Sequence, residues 1–398
     1  MTQSPMRRRA LAASLAAPLA LVGTLGLRAK VAQAQSSPLH PTLLRRLQQP
    51  LGDASDRPKL LQQAEDALRL ADASTAQMLF DRAAQIIHAA DAELGTVRAL
   101  MQAGYYRRAL AFCAHTAGSH PDTPSGAAFY AWMLHLGGQT TFALRILDAA
   151  RERHPQDGTV ALVHNMFRTH DSWPREPLLA PPARFAPYSP RSSSVPTNAR
   201  VQGTGVLFND GRTAIATDRD IGPHDQIWIR DALGRLAKAR FDRRLDGLGL
   251  VLLTLPPDIE SPFASGFTLS TALHDPFPGS AALTIEYPRA ADTTPAWPIL
   301  RMGFLGRTSE LGGVYALGID VPEGPRGGPV FDLGGRLIGV TLIDSSGMNQ
   351  VALGSALRRV APTLIAGEPS LPKGAPLPLD EIYESAMGAT LQIITSAV

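Results

Sequence analysis

One stretch of the chain has the composition of a reactive loop: Glu323-Gly324-Pro325-Arg326-Gly327-Gly328, continued by Pro329-Val330-Phe331-Asp332-Leu333-Gly334-Gly335-Arg336-Leu337-Ile338-Gly339-Val340. Glycines this dense imply a backbone that takes positive φ or comes close to another group. In a catalytic loop that group is a substrate carbonyl. Arg326 cannot attack a carbonyl, because its guanidinium stays protonated and has no lone pair to offer. The same stretch predicts a hairpin, with Pro329 to Phe331 as one short strand, Asp332 to Gly335 as the turn and Arg336 to Ile343 as the return strand.

Other chemistry-bearing groups are sparse. Asp218, Asp220, His224 and Asp225 have metal-friendly side chains, but a proline-containing turn with solvated charges accounts for them, and neither a metal nor a cofactor is expected. No G-x-x-x-x-G-K-[ST] phosphate loop is present, and Gly203-Thr204-Gly205 lacks the third glycine of a dinucleotide fingerprint. The histidines fall singly, and His120 and His154 sit in His-Pro corners that read as helix ends. Arg235, Lys238, Arg240, Arg243 and Arg244 are interleaved with Asp231, Asp242 and Asp246, the pattern of a solvated strand face. The formal charge of +3 arises from residues 1–34, which hold Arg7, Arg8, Arg9, Arg28 and Lys30 and no acids; the remainder has 33 basic against 35 acidic side chains. Nothing in that balance draws the protein to nucleic acid.

The elements that must position these groups fall into blocks. Residues 1–34 read as a signal peptide: three arginines, an apolar run from Ala10 to Leu27, and Ala32-Gln33-Ala34 for cleavage after Ala34. No later stretch is long and apolar enough to span a membrane, so a mature protein outside the cytoplasm, in the periplasm, is expected. Cys113 is the only cysteine; it excludes an intramolecular disulfide and reads as a small buried apolar residue.

Residues 39–169 carry apolar residues at three and four spacing, as in Leu60, Leu61, Ala64, Ala67, Leu68 and Ala71, which predicts amphipathic helices. Gly104, Ala109, Leu110, His120 and Pro121 recur 34 residues later as Gly138, Ala143, Leu144, His154 and Pro155. That period is characteristic of tetratricopeptide-like helical hairpins, and a fainter earlier unit carries Ala76, Asp81 and Ala83. So short an array is expected to lean on a neighbouring domain for capping. Tyr105, Tyr106, Phe129, Tyr130 and Trp132 read mainly as interhelix core, with a peptide-binding face as the alternative. Residues 170–200 form a linker rich in proline and serine. From Val201 the pattern changes to strands, beginning with a hairpin of Gly203 to Phe208, the turn Asn209-Asp210-Gly211, and Thr213 to Thr217. Further strands are expected at Asp225 to Ile229, Gly249 to Leu253, Ala281 to Tyr287, Ile299 to Leu305 and Val314 to Ile319. In the tail, residues 366–398, Asp380 to Ile394 reads as a helix.

The glycine loop with its hairpin resembles the G-x-S-G-G-P-[LV] loop of trypsin-like serine proteases of the HtrA type. Gly203-Thr204-Gly205 resembles that family's opening strand. The resemblance implies a trypsin-like double β-barrel over 201–365, in a multidomain α and β chain. It also locates three degenerate positions: Arg326 for the nucleophilic serine, Asp220 for the histidine of T-N-x-H-V, and Gly249 for the aspartate of D-L-A-V-L. Asp246 is a stand-in for the aspartate only if the strand slips. By the same resemblance the oxyanion loop is Gly324, Arg326, Gly327 and Gly328, with Gly324 and Arg326 as backbone donors. A barrel that has lost hydroxyl, base and orienting acid is expected not to be an enzyme. The function implied is a pseudoprotease that binds a protein or peptide partner in the cell envelope. The alternative is an active endopeptidase with a rearranged or partner-completed site.

Overall fold

The computed structural model describes residues 52–169 and 195–396, except 71, 197, 209, 220, 223–225, 233, 258–260, 262, 264–268, 273, 292, 294, 310–311, 322–326 and 366–374. The expected signal peptide and nearly all of the expected linker lie outside the described residues. Seven helices come first: α1 (Arg57–Arg69), α2 (Ala73–Ile86), α3 (Ala90–Gln102), α4 (Tyr106–Ser119), α5 (Pro124–Leu136), α6 (Thr140–Arg153) and α7 (Gly158–Thr169). Asp72 caps α2 by accepting from the Thr75 N–H, and Pro124 supplies a preset φ at the start of α5.

Helices α3 and α5 begin 34 residues apart, as do α4 and α6, so the sequence period is a structural period. Gly104 and Gly138 end the first helix of each hairpin at φ +84° and +81°, the left-handed turn that glycine adopts without strain. Ala109 and Ala143 are fully buried where the helices cross, and a larger side chain there would force them apart. His120 and His154 are the C-cap residues of α4 and α6. Tyr106, Phe129 and Trp132 are buried core, whereas Tyr105 is exposed and Tyr130 half-buried. Cys113 is buried in the same core, and burial pushes its thiol pKa up.

Twelve strands follow: β1 (Arg200–Leu207), β2 (Thr213–Thr217), β3 (Gln226–Asp231), β4 (Leu236–Leu245), β5 (Leu250–Thr254), β6 (Ala281–Glu286), β7 (Ile299–Thr308), β8 (Val314–Gly318), β9 (Pro329–Phe331), β10 (Leu337–Ile343), β11 (Asn349–Leu353) and β12 (Thr390–Ser396). Two short helices, α8 (Gly354–Val360) and α9 (Pro362–Ile365), follow β11, and α10 (Leu379–Ala386) precedes β12. The strands close into two antiparallel barrels, ordered β12-β1-β2-β5-β4-β3 and β6-β7-β8-β11-β10-β9. The two orders are the same walk around a barrel, with β12 in the first barrel standing where β6 stands in the second. The first barrel is thus completed by the C-terminal end of the chain.

That placement corrects the expected terminal helix. The helix stops at Ala386, and Thr390–Ser396 pairs with β1 on one side, with one register shift between Val201 and Gly203, and with β3 on the other without a shift. A short run with Leu391, Ile393 and Ile394 apolar has no period that separates strand from helix, and its partners lie far away in sequence. Asp231 to Arg235 is the turn that follows β3. The Arg235 N–H and Nε donate to the Asp231 carboxylate at 2.8 and 2.6 Å, which buries Arg235 instead of leaving it on the solvated face. Lys238, Arg240, Arg243 and Arg244 are exposed, as that face requires.

Alternation along the strands sorts residues between cores. Leu207, Ala214 and Ala216 fill the first barrel, while their neighbours Val206 and Ile215 pack between the barrels with Leu283, Ile285 and Val340. Strands buried on both faces read as continuous apolar runs rather than alternating ones. Helix α10 sends Ile382 and Ala386 into this inter-barrel core, and Met387 just after it into the helical core. Tyr383 donates from its hydroxyl to the Pro298 carbonyl at 2.6 Å, and the Trp297 N–H donates to the Leu136 carbonyl at 2.7 Å. The indole of Trp297 meets Tyr106 edge-on at 6.0 Å. Arg107 pairs with Glu384 and Asp380. The helical region therefore leans on the barrels through the C-terminal segment.

Replacing Ile393, 1% exposed in β12, by alanine is expected to lower the stability of the chain by about 2–5 kcal/mol, read from the urea midpoint. Removing residues 390–398 is expected to abolish the cooperative transition, because β1 and β3 would be left as open edges.

Candidate functional site

The end of the glycine loop is fastened by one side chain. Thr341 in β10 is fully buried, and its hydroxyl accepts the N–H groups of Gly327 at 3.0 Å and Gly328 at 2.9 Å. Its own N–H donates to the Gly328 carbonyl, and its carbonyl accepts from Gly327, each at 2.9 Å. At Gly327 φ is +115°, and a Cβ would lie 2.6 Å from the Thr204 carbonyl oxygen and 2.8 Å from the Thr217 nitrogen. A Cβ on Gly328 would lie 2.4 Å from Cγ of the buried Glu286. Thr204 and Thr217 belong to the first barrel, Glu286 and Thr341 to the second. The glycine pair is therefore where the barrels come into backbone contact, and this packing accounts for both glycines without any ligand.

The surrounding hydroxyls are committed to the backbone. Thr204 Oγ1 accepts from the Tyr287 N–H at 2.7 Å, which ties β1 to the end of β6, and Thr217 Oγ1 accepts from the Arg219 N–H at 3.2 Å. Tyr287 itself is wholly buried, which raises its phenol pKa well above the ordinary value.

Of the three degenerate positions, Gly249 lies among the described residues; Asp220 and Arg326 do not, and neither does Gly324. Gly249 is exposed, with φ +65°, and its carbonyl accepts from the Asp218 N–H at 2.9 Å. The turn therefore favours glycine on conformational grounds, and no carboxylate is carried at this point of the strand. The β4–β5 ladder, shifted once between Phe241 and Arg243, pairs Leu245 with Leu250, and Asp246 stays exposed in the turn beyond. Asp218 lies 3.8 Å from Arg244 across the same turn. Among the described residues of the barrels the histidine is His274, which is exposed.

The helical region carries a separate concavity. A pocket of about 220 Å³ opens where α4, α5 and α6 meet, lined by Tyr130, Pro124, Ile146, Ala150, His120 and His154 among others. The His154 Nε2 bonds the Pro121 carbonyl at 2.9 Å, so the cap of one hairpin grips the corner of the hairpin before it. Sequence reading named His120 and His154 as helix ends only; their identical place in two repeats was the signal that they also face common neighbours.

No protein-family model matches the chain, and no curated protein matches it. Solved structures similar to it include a serine endoprotease from Yersinia pestis, at 16% identity over 44% of this chain and 69% of that one, with a TM-score of 0.33. The Rv3671c protease of M. tuberculosis H37Rv, in an inactive form, is 16% identical over 42% of this chain and 87% of that one, with a TM-score of 0.32. The HtrA-type protease AlgW with tripeptide is 18% identical over 42% of this chain and 59% of that one, with a TM-score of 0.33. What the chain itself displays is a helical-repeat region followed by two closed six-stranded antiparallel barrels, the architecture that the sequence resemblance implied.

Gly327→Ala is expected to cost about 2–4 kcal/mol of stability, combining left-handed backbone strain with overpacking at the barrel junction. Gly249→Ala, whose Cβ would meet only Asp218 Oδ1 at 3.7 Å, is expected to cost about 1–2 kcal/mol from its backbone conformation alone. Equal losses in urea titrations of the two variants would contradict the inter-barrel clamp.

Proposed function

We propose that the chain is an exported, non-catalytic homologue of trypsin-like proteases that acts by holding a protein or peptide in the cell envelope. The observation that carries this reading is Gly249. The position that the resemblance assigns to the base-orienting acid is a glycine in a left-handed turn, next to a strand that pairs with β2 without a register shift. A triad without its orienting acid loses most of its rate, and here the sequence also puts Asp220 and Arg326 at the base and nucleophile positions. The partner site that the geometry favours is the helical region. The glycine loop ends in a tight inter-barrel contact, whereas the repeat presents an open pocket with Tyr130 on its wall and Tyr105 exposed on the helical surface. The basic start, apolar run and small-residue cleavage site at 1–34 support export to the periplasm.

The test is labelling of the purified mature protein with a fluorophosphonate probe, alongside an active trypsin-like protease as control. No labelling is expected. Labelling that disappears on mutating one particular serine would establish the rival reading, a working endopeptidase. For the binding half, a photo-crosslinking residue placed at Tyr130 is expected to trap one discrete partner in periplasmic extracts, and the same residue at the exposed Met302 of β7 is expected not to.

A further inference from the structure

His88 lies in the turn between α2 and α3, Glu93 in the first turn of α3, and His120 at the C-cap of α4. The helical hairpin brings them together. Nε2 of His88 is 2.6 Å from Oε1 of Glu93, and Nε2 of His120 is 3.4 Å from Oε2 of the same carboxylate. One ligand-capable atom from each residue falls within a sphere of mutual separations no larger than 4.8 Å, and among the described residues this is the one such trio. The two rings stand 5.0 Å apart, centroid to centroid.

The burial of the trio separates it from a surface ion pair. Glu93 is 4% exposed, and no lysine or arginine pairs with it among the described residues. Glu93 Oε2 and His120 Nε2 are both shut off from solvent and face each other at 3.4 Å without good hydrogen-bond geometry, and the groups turned toward the carboxylate are the Thr116 hydroxyl and the two imidazoles. A buried carboxylate in that condition calls for a cation or a donor. Two lone-pair atoms 3.4 Å apart match an edge of a tetrahedron whose bonds are about 2.0–2.1 Å long, which is the bond length of zinc to imidazole and carboxylate. Two imidazoles and one carboxylate are a borderline donor set, suited to zinc and poorly suited to calcium or magnesium, which prefer all-oxygen shells. His88, with a side chain 63% exposed, leaves a solvent-facing side for a fourth ligand.

We propose that His88, Glu93 and His120 bind one divalent zinc ion, with the fourth coordination position open to water. Bound there, the ion links the α2–α3 turn to the end of α4 and so staples two successive hairpins of the helical region. This assignment concerns the helical region alone and holds whether or not the barrels are catalytic.

The experiment is calorimetric titration of zinc chloride into the purified full mature chain after treatment with a chelator. One zinc per chain, with a dissociation constant in the micromolar range or below, is expected. The melting midpoint is expected to rise by on the order of 5 °C at a hundredfold excess over that constant. His88→Ala, at an exposed position, is expected to keep the chelator-treated protein's circular dichroism and melting midpoint while weakening zinc binding at least about tenfold. His120→Gln is expected to weaken it similarly, and His164→Ala, a histidine paired with Asp148 elsewhere, is expected to leave it unchanged. Cobalt substituted for zinc is expected to give the intense visible bands of a tetrahedral site in the parent and to lose them in His88→Ala. Absence of stoichiometric zinc uptake would overturn the proposal. So would uptake that survives both His88→Ala and His120→Gln, which would leave the trio as a carboxylate bridging two imidazoles by hydrogen bonds.

Discussion

The insertion of β12 between β1 and β3 is the contact on which the rest of the molecule depends. A six-stranded barrel with five strands has two open edges, and the backbone groups along them have no partner. Here those edges are closed by β12, which follows the second barrel and α10 in the sequence. The same segment reaches both other cores: Ile382 and Ala386 enter the space between the barrels, and Met387 enters the helical core. One stretch of fewer than twenty residues thus joins three packing units. Its position is further held by the Arg107 pairs to Asp380 and Glu384 and by the Tyr383 hydroxyl on the Pro298 carbonyl. The exposed ion pairs add little to stability, and the apolar anchors carry the docking.

A second constraint acts at the barrel junction. β1 is bonded to the end of β6 through Thr204 and Tyr287, and Val201 bridges Ala290 beyond it. Gly327 and Gly328 fill the remaining gap between Thr204, Thr217 and Glu286, where no side chain fits. The loop that would bear a nucleophile therefore springs from a site fixed by packing in both barrels. Such an origin makes the glycines structural before they are functional, and it explains why their presence says nothing by itself about catalysis.

What could be read from the residues beforehand follows the range of the interactions. The hairpin of β9 and β10 was legible because its turn chemistry is local: the Asp332 carboxylate accepts the N–H groups of Gly334 and Arg336, and Gly335 takes φ +72°. The helical period was legible because Gly104 and Gly138, and Ala109 and Ala143, answer to local geometry repeated every hairpin. β12 was not, since its strand character is imposed by partners on β1 and β3, and tertiary pairing overrides a weak local preference. β11 escaped for a similar reason, its pairing residues Asn349 and Gln350 being poor strand formers. Arg235 departs from the surface alternation of its basic neighbours because Asp231 and Arg235 close a buried turn, a pairing that the charge pattern alone does not distinguish from a solvated face. The trio of His88, Glu93 and His120 had no spacing motif to betray it, because the three sit on separate elements and meet only when the hairpins stack.

The separation between what holds the fold and what would do chemistry explains how one can persist without the other. Thr341, Gly327, Gly328 and Thr204 are buried, hydrogen-bonded or sterically irreplaceable, and a change at any of them is paid in stability. Gly249 is exposed at the mouth of a turn, where a Cβ would meet Asp218 Oδ1 at 3.7 Å, an ordinary contact. A side chain there would support no core, and the ladder of β5 with β2 on its other side runs without a shift. A side chain at Gly249 meets Asp218 alone, whereas one at Gly327 meets backbone of the first barrel at 2.6 and 2.8 Å. The glycine pair is thus held by packing at the barrel junction, and Gly249 by the conformation of its turn alone.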